Sequence, residues 1–245
     1  MKLFPSKNIT SAINWALDNI VPPILRDNKF FMYPLMYAAY GKQTEILLDF
    51  KEKFPFMSDE ELSLCYQQIM NVPVNTRKSD LHTKSLNWIT DNLVSGLLKG
   101  NFTCFDASCG NGYLLKLIAK KYPNIKCGGG DIAPRKIDDK IEVLATDITN
   151  LQHPDKHFDI VLCTHTLEHI RDPQKALEEL IRITKKRLIV VVPQQREYKY
   201  TVDLHVNFFP YMFDFKRFIV GGGGGYLNAK FLKLGGDLLC CVDME

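Results

Sequence analysis

The run FDASCGNGYLL, residues 105–115, places an acid, Asp106, just ahead of two closely spaced glycines, Gly110 and Gly112, and then enters an apolar helical pattern. Glycines at that spacing allow a tight turn and let a ligand approach the main chain closely. A dinucleotide fingerprint would need a third glycine, but the position it requires holds Leu115, or Tyr113 if the count starts at Ser108. A carboxylate beside the loop would also repel a pyrophosphate. It suits a ligand that carries positive charge, such as an ammonium or a sulfonium.

The elements needed to position such a loop are legible in the same stretch of chain. From Phe102 onward, short β-rich runs (FTCFDA, IKCGGGD, IEVLATD, FDIVLCTH, RLIVVVP) alternate with helical patterns (GYLLKLIAKKY, PQKALEELIRIT). That alternation predicts βαβ units and a doubly wound, mainly parallel α/β sheet. The ending GGDLLCCVDME reads as one more strand, inserted antiparallel near an edge, with Cys240 and Cys241 pointing to opposite faces. Upstream, residues 1–95 carry apolar residues at helical spacing, and Ser58 with Glu61 forms a capping-box pattern. The expected division is a helical N-terminal extension over 1–95 and a ligand-binding domain over 96–245.

With the acid, the glycine loop and the alternating elements in place, the chain resembles the class I methyltransferase family, whose cofactor is S-adenosylmethionine. That cofactor carries both an ammonium and a sulfonium. Ser108 stands where the family has the first of its alternating glycines. Further along, Asp131 in GGDIAP lies 21 residues past Gly110, at the end of the second strand. Asp147 and Ile148 in LATDIT follow the third strand, and HFDIVLCTHTLEHIRDPQKALEELIRIT leading to RLIVVVP looks like the fourth strand, fourth helix and fifth strand of the subgroup that includes ubiquinone-biosynthesis methyltransferases. The resemblance covers residues 100–193. It implies a seven-stranded Rossmann-like sheet, with Asp131 accepting hydrogen bonds from the ribose hydroxyls and Asp147 and Ile148 meeting the adenine. It also puts Asp106, Ala107, Ser108, Gly110, Gly112, Ile132 and Thr164 around the cofactor.

Several residues fall outside those motifs. His165 ends the fourth strand and His205 follows the fifth in a segment that borders the acceptor in related enzymes, so both are candidates for a general base, with His205 favoured. Glu168 and His169 are adjacent in sequence and cannot share a helix face, which makes one of them a helix-start or packing residue. Cys109 is expected to offer a ligand its backbone only. Glycines 128–130 in the second strand predict either a short strand or a close approach of its main chain to a neighbour, and Gly221–Gly225 reads as a flexible connection. Lys116, Lys120 and Lys121 read as the solvated face of the first helix of the sheet domain.

Composition narrows the classes. A formal net charge of +3 over 245 residues is too small an excess to call for nucleic acid, and no NPPY-type tetrad follows the fourth strand, where CTHTLEHI stands. The seven cysteines lack zinc-ligand spacing, so no metal is expected. The apolar run FFMYPLMYAAY at 30–40 holds a proline and is about half the length of a bilayer-spanning helix. Its aromatics, Phe30, Phe31, Tyr33, Tyr37 and Tyr40, are expected to pack between helices, with a membrane-surface contact as the alternative. The chain start lacks the apolar centre of a secretory signal, which predicts a cytoplasmic protein. The resulting expectation is methyl transfer to oxygen of a small-molecule or a lipid- or glycan-linked acceptor. A non-catalytic cofactor-binding module and a nicotinamide-dependent oxidoreductase are the rivals.

Overall fold

A computed structural model describes residues 15–17, 19–70, 79–98, 100–200, 203–221 and 228–244. Most of the glycine run read as a connection, 222–225, lies outside them. The chain divides into two compact units: Met1–Arg77 with Gln195–Val206, and Lys78–Gln194 with Asn207–Glu245. Among the described residues, no helix is long and apolar enough to cross a membrane.

The larger unit is a seven-stranded sheet with strand order β3-β2-β1-β4-β5-β7-β6. Its strands are β1 (Phe102–Asp106), β2 (Ile125–Asp131), β3 (Glu142–Ala145), β4 (Phe158–Thr164), β5 (Thr184–Pro193), β6 (Ala229–Leu234) and β7 (Asp237–Asp243). The first five run parallel, and β7 runs antiparallel to both β5 and β6. β7 is therefore the expected antiparallel strand, but it lies between β5 and β6 with β6 taking the edge. Its residues explain this: DLLCCV is buried on both faces, as an interior strand must be, whereas β6 turns Lys230 and Lys233 to solvent, which blunts an edge against further pairing. Cys240 packs into the core on one side of the sheet and Cys241 into the core on the other.

Helices cover both faces. Pro173–Ile183 starts on an Asp172 cap that accepts from the Lys175 amide at 3.0 Å, with Pro173 at the first helical position. It buries Ala176, Leu177, Leu180 and Ile183 against β4 and β5. Tyr113–Lys121 buries Leu114, Leu115 and Ile118 on the opposite face and leaves Lys116, Lys120 and Lys121 exposed. Thr83–Asn92, expected in the N-terminal extension, belongs to the sheet unit instead: Leu81, Ile89 and Leu93 join the same core as β1 and β4.

The smaller unit contains the helices Pro23–Arg26, Lys29–Tyr40, Thr44–Lys53 and Asp59–Met70. The capping box ahead of the last of these is formed: the Ser58 amide donates to Glu61 Oε2 at 2.8 Å and the Glu61 amide to Ser58 Oγ at 3.2 Å. Met32, Met36, Leu47, Leu48, Phe50 and Ile69 make its core together with Tyr200 and Leu204. Phe31 and Tyr40 pack against that core, as expected of aromatics between helices. Phe30, Tyr33 and Tyr37 do not, and Phe30 is 91% exposed.

Candidate functional site

The switch point of the sheet lies between β1 and β4, the neighbours from which the strand order runs in opposite directions, and ligands of open α/β sheets bind at the carboxyl ends there. Asp106, the last residue of β1, is 2% exposed. Burial pushes its carboxyl up to about 7; the Ser108 amide opposes the rise and the charge of Asp131 adds to it. A cation placed beside this group would pull it back to the charged form.

The loop after β1 is drawn onto β2. Cys109 donates its amide to the Gly130 carbonyl at 2.9 Å, and its own carbonyl accepts from the Gly112 amide at 2.8 Å. Both loop glycines take left-handed backbone, Gly110 at φ 53° and Gly112 at φ 71°. A β-carbon on Gly129 would lie 2.6 Å from the Cys109 sulfur, and one on Gly130 would lie 2.9 Å from the Phe105 ring. The second-strand glycines are thus a close-approach device within a full-length strand, not the mark of a short one. For the same reason the Cys109 amide, expected to face a ligand, is engaged by β2, and burial pushes its thiol up to about 12.

Asp131, at the end of β2, is pinned from two sides. Gly110 donates its amide to Oδ2 and Ala133 donates to Oδ1, each at 2.9 Å. The neighbouring Gly110 borders open space, since a β-carbon there would meet nothing within 4 Å. Ile132 beside it is 66% exposed. Asp147 is also exposed and accepts the Thr149 amide and hydroxyl at 2.8 Å each. Ile148, paired with it in the sequence reading, is buried with Phe105, Ala107 and Leu151. Acids therefore stand at the carboxyl ends of β1 and β2 beside a glycine turn that is open at Gly110 and covered by the Ile137 side chain at Gly112, with Asp147 just past the end of β3 and Ile132 exposed. That set fits a cationic nucleoside ligand. Ser108 adds a contact its position did not foretell: its hydroxyl meets that of Thr166, which also donates to the Thr164 carbonyl at 3.1 Å.

Beyond β4 the chain turns through His165, a left-handed residue at φ 52° whose amide donates to the Val191 carbonyl. The turn sets the ring between two buried carboxylates. Nε2 lies 3.1 Å from Asp237 Oδ1, and Nδ1 lies 3.7 Å from Glu168 Oε1. Burial disfavours the charged ring, but the hydrogen bond to Asp237 and the charges of Glu168, Asp237 and Asp80 outweigh it and raise the pKa to about 9. His165 is therefore an imidazolium at neutral pH, suited to holding structure and poorly suited to taking a proton. Of the adjacent pair Glu168 and His169, Glu168 is the packing residue, fully buried in the short turn Leu167–His169. Asp237 does further work, because its Oδ2 accepts the His82 amide at 2.9 Å, at the start of the helix Thr83–Asn92. Neither Asp237 nor Thr166 was singled out in the sequence. An acid at the first position of a strand, directly after Gly235 and Gly236, was the available signal for Asp237.

His205 lies in the smaller unit, 7% exposed, in the segment 195–206 that follows β5. Its Nδ1 is 2.5 Å from Gln195 Oε1 and 3.3 Å from Asp203 Oδ2.

Residues 105–192 match the family model described as a methyltransferase domain. Ajmaline N-methyltransferase of Rauvolfia serpentina is 28% identical over 99 residues, covering 36% of this chain and 34% of the relative. Norajmaline N-methyltransferase of the same organism is 28% identical over 98 residues, with the same coverage of 36% and 34%. The chain spans about a third of the length of these curated relatives. The crystal structure of Burkholderia thailandensis 1,6-didemethyltoxoflavin-N1-methyltransferase, with 1,6-didemethyltoxoflavin and S-adenosylhomocysteine bound, is similar in fold. Its TM-score is 0.53 at 11% identity, over 66% of this chain and 79% of that one.

Proposed function

We propose that the chain, whose residues 105–192 match the family model described as a methyltransferase domain, is a class I, S-adenosylmethionine-dependent methyltransferase that transfers a methyl group to oxygen of a small-molecule or a lipid- or glycan-linked acceptor. The observation that carries this reading is the Asp131 carboxylate, fixed by two amides beside Gly110, which borders open space. S-adenosylmethionine, when bound, supplies a methyl group already activated on a sulfonium.

Each residue around the turn then has a part. Asp131 accepts the ribose hydroxyls, while Asp147, Ile132 and the main chain at Ile148 receive the adenine. Asp106, Ala107, Ser108, Gly110, Gly112 and Thr164 line the amino-acid end, where the buried Asp106 carboxyl favours positive charge. The domain contributes mainly alignment and exclusion of water. His205 takes the proton from an acceptor hydroxyl, since His165 is already charged by its carboxylate neighbours. The exposed side chains Ile24, Phe30, Leu35 and Tyr37 on the smaller unit support an apolar or lipid-carried acceptor.

A nitrogen acceptor is the second reading, favoured by the two relatives named N-methyltransferases. A neutral amine attacks with a lone pair it already has, so it needs no base at that step. The tests are direct. Asp131→Ala weakens S-adenosylhomocysteine binding by about 1.5–3 kcal/mol, the scale of lost charge-assisted hydrogen bonds, measured by calorimetry. Unchanged affinity, or tight NAD binding by the wild type, overturns the cofactor assignment. His205→Ala lowers turnover by about a hundredfold or more on an oxygen acceptor, with cofactor affinity intact. Near-normal turnover of an oxygen acceptor removes His205 from the mechanism, labelling of amines alone selects nitrogen, and failure to label any acceptor in a broad extract with labelled methyl donor selects the non-catalytic module.

A further inference from the structure

The segment after β5 carries four polar side chains joined by hydrogen bonds. Gln195, Tyr198 and His205 are buried, at 8%, 5% and 7% exposed. Gln195 Nε2 lies 2.8 Å from the Tyr198 hydroxyl and 3.1 Å from Asp203 Oδ2, and the same hydroxyl lies 3.1 Å from Asp203 Oδ1. His205 Nδ1 completes the set on Gln195 Oε1 at 2.5 Å. Arg26 braces the segment, with its guanidinium over the Tyr198 ring and donating to the Glu197 carbonyl at 2.9 Å.

The direction of every bond in this set follows from one group. An ionised carboxylate only accepts, so both groups that meet Asp203, the Tyr198 hydroxyl and the Gln195 nitrogen, must donate to it. With its nitrogen committed to Asp203, the Gln195 amide has only its oxygen left to turn toward His205. An oxygen there only accepts, so His205 Nδ1 must carry the proton. Asp203 Oδ2, at 3.3 Å from the same nitrogen, favours that proton as well.

We propose that Asp203, acting through Gln195, fixes His205 as the Nδ1–H tautomer and so makes Nε2 its basic nitrogen. This rests on the reading of His205 as the base, and it assigns Asp203 and Gln195 as positioning residues. A base on a mobile ring would divide between two tautomers and two orientations. Here the proton and the ring plane are both set before an acceptor arrives.

Asp203→Asn tests the polarity without changing the shape. The new amide can donate, the Gln195 amide can then turn over, and His205 Nδ1 becomes an acceptor. In the full-length protein labelled with 15N-histidine, long-range nitrogen–proton correlation spectra report the tautomer directly, with the His205 signals identified by their loss in His205→Gln. The wild type shows Nδ1–H, Asp203→Asn shows Nε2–H, and Tyr198→Phe, which keeps the carboxylate, retains Nδ1–H. A wild-type ring in the Nε2–H form overturns the proposal whether or not the variants fold, and so does an unchanged tautomer in Asp203→Asn. Circular dichroism and thermal unfolding of each variant verify an intact fold. The base reading fails separately: full turnover of an oxygen acceptor by His205→Ala removes the base, whatever the tautomer.

Discussion

The carboxyl ends of β1 and β2 are joined by main chain, whereas the carboxyl end of β4 is joined to the start of β7 by buried charge. In the first region the Cys109 amide meets Gly130 and the Gly110 amide meets Asp131, and the contacts are allowed by glycines that remove side chains from the way. In the second, His165 sits between Asp237 and Glu168, and β7 returns from the end of the sequence to supply the acid. The same strand anchors the other end of the sheet. Arg187 makes paired bonds of 2.6 and 3.0 Å to Asp243 and donates to the carbonyls of Asn92, Leu93 and Ser95. The helix Thr83–Asn92 is thus tied to β7 at both ends, by Asp237 at its start and by the Arg187–Asp243 pair at its finish. The difference teaches where each kind of damage should appear: changes near β1 and β2 act on ligand binding, and changes along β5 and β7 act on stability.

The largest expected effect breaks the charged half. Arg187→Ala leaves the half-exposed Asp243 and three helix-end carbonyls without their donor, and each buried acceptor left unsatisfied costs about 1–3 kcal/mol. Urea unfolding should show that loss, while Asp131→Ala, in the other half, costs about 1 kcal/mol, the scale of its two amide bonds. Equal losses in the two variants would erase the distinction.

A smaller effect carries a pH signature. Against burial, the carboxylate neighbours of the His165 ring raise it to about 9 in the folded protein from an ordinary 6.5, a rise worth about 3 kcal/mol. A raised folded pKa stabilises the fold in full below the unfolded value and loses that contribution as pH rises through the folded one. His165→Asn should therefore be most destabilised relative to wild type near pH 6, with the gap narrowing through pH 9. A gap independent of pH would show that His165 contributes by packing alone.

The same contrast decides what could be read in advance. The places of Asp106, Gly110, Gly112 and Asp131 were legible because each is set locally: a strand end, a turn and the end of the next strand. The parallel alternation from Phe102 likewise announced the sheet, since each strand and helix carries its own periodicity. Asp237 was not legible, because its partners His165 and His82 lie 72 and 155 residues away and meet it only once β7 has entered the sheet. The placement of Thr83–Asn92 was missed for a related reason. Its helical pattern is the same whichever core it joins, and its ties to Asp237 and Arg187 are long-range. Ile148 looked equivalent to Ile132 as a residue after a strand-end acid, yet one is buried and the other exposed, a difference set by the chain folding back over Phe105.

The finest test separates neighbouring glycines in β2. A β-carbon on Gly128 would rest at ordinary contact distance, 3.7 Å from the Glu142 carbonyl and 3.9 Å from Phe105, whereas on Gly129 it would press to 2.6 Å from the Cys109 sulfur and 3.0 Å from Leu115. Replacing glycine by alanine where the backbone and space allow it stabilises by about 0.4–1 kcal/mol through the unfolded chain. Overpacking a filled site costs about 1–3 kcal/mol. Gly128→Ala should therefore be neutral or slightly stabilised, with S-adenosylhomocysteine affinity unchanged. Gly129→Ala should lose about 1–2 kcal/mol net and should also bind the ligand more weakly, because displacing Cys109 moves the turn that carries Gly110 and its bond to Asp131. Thermal unfolding and calorimetry on the two variants read both effects. If Gly129→Ala loses stability but keeps full affinity, the close approach of β2 serves packing alone, and the turn holds its shape without it.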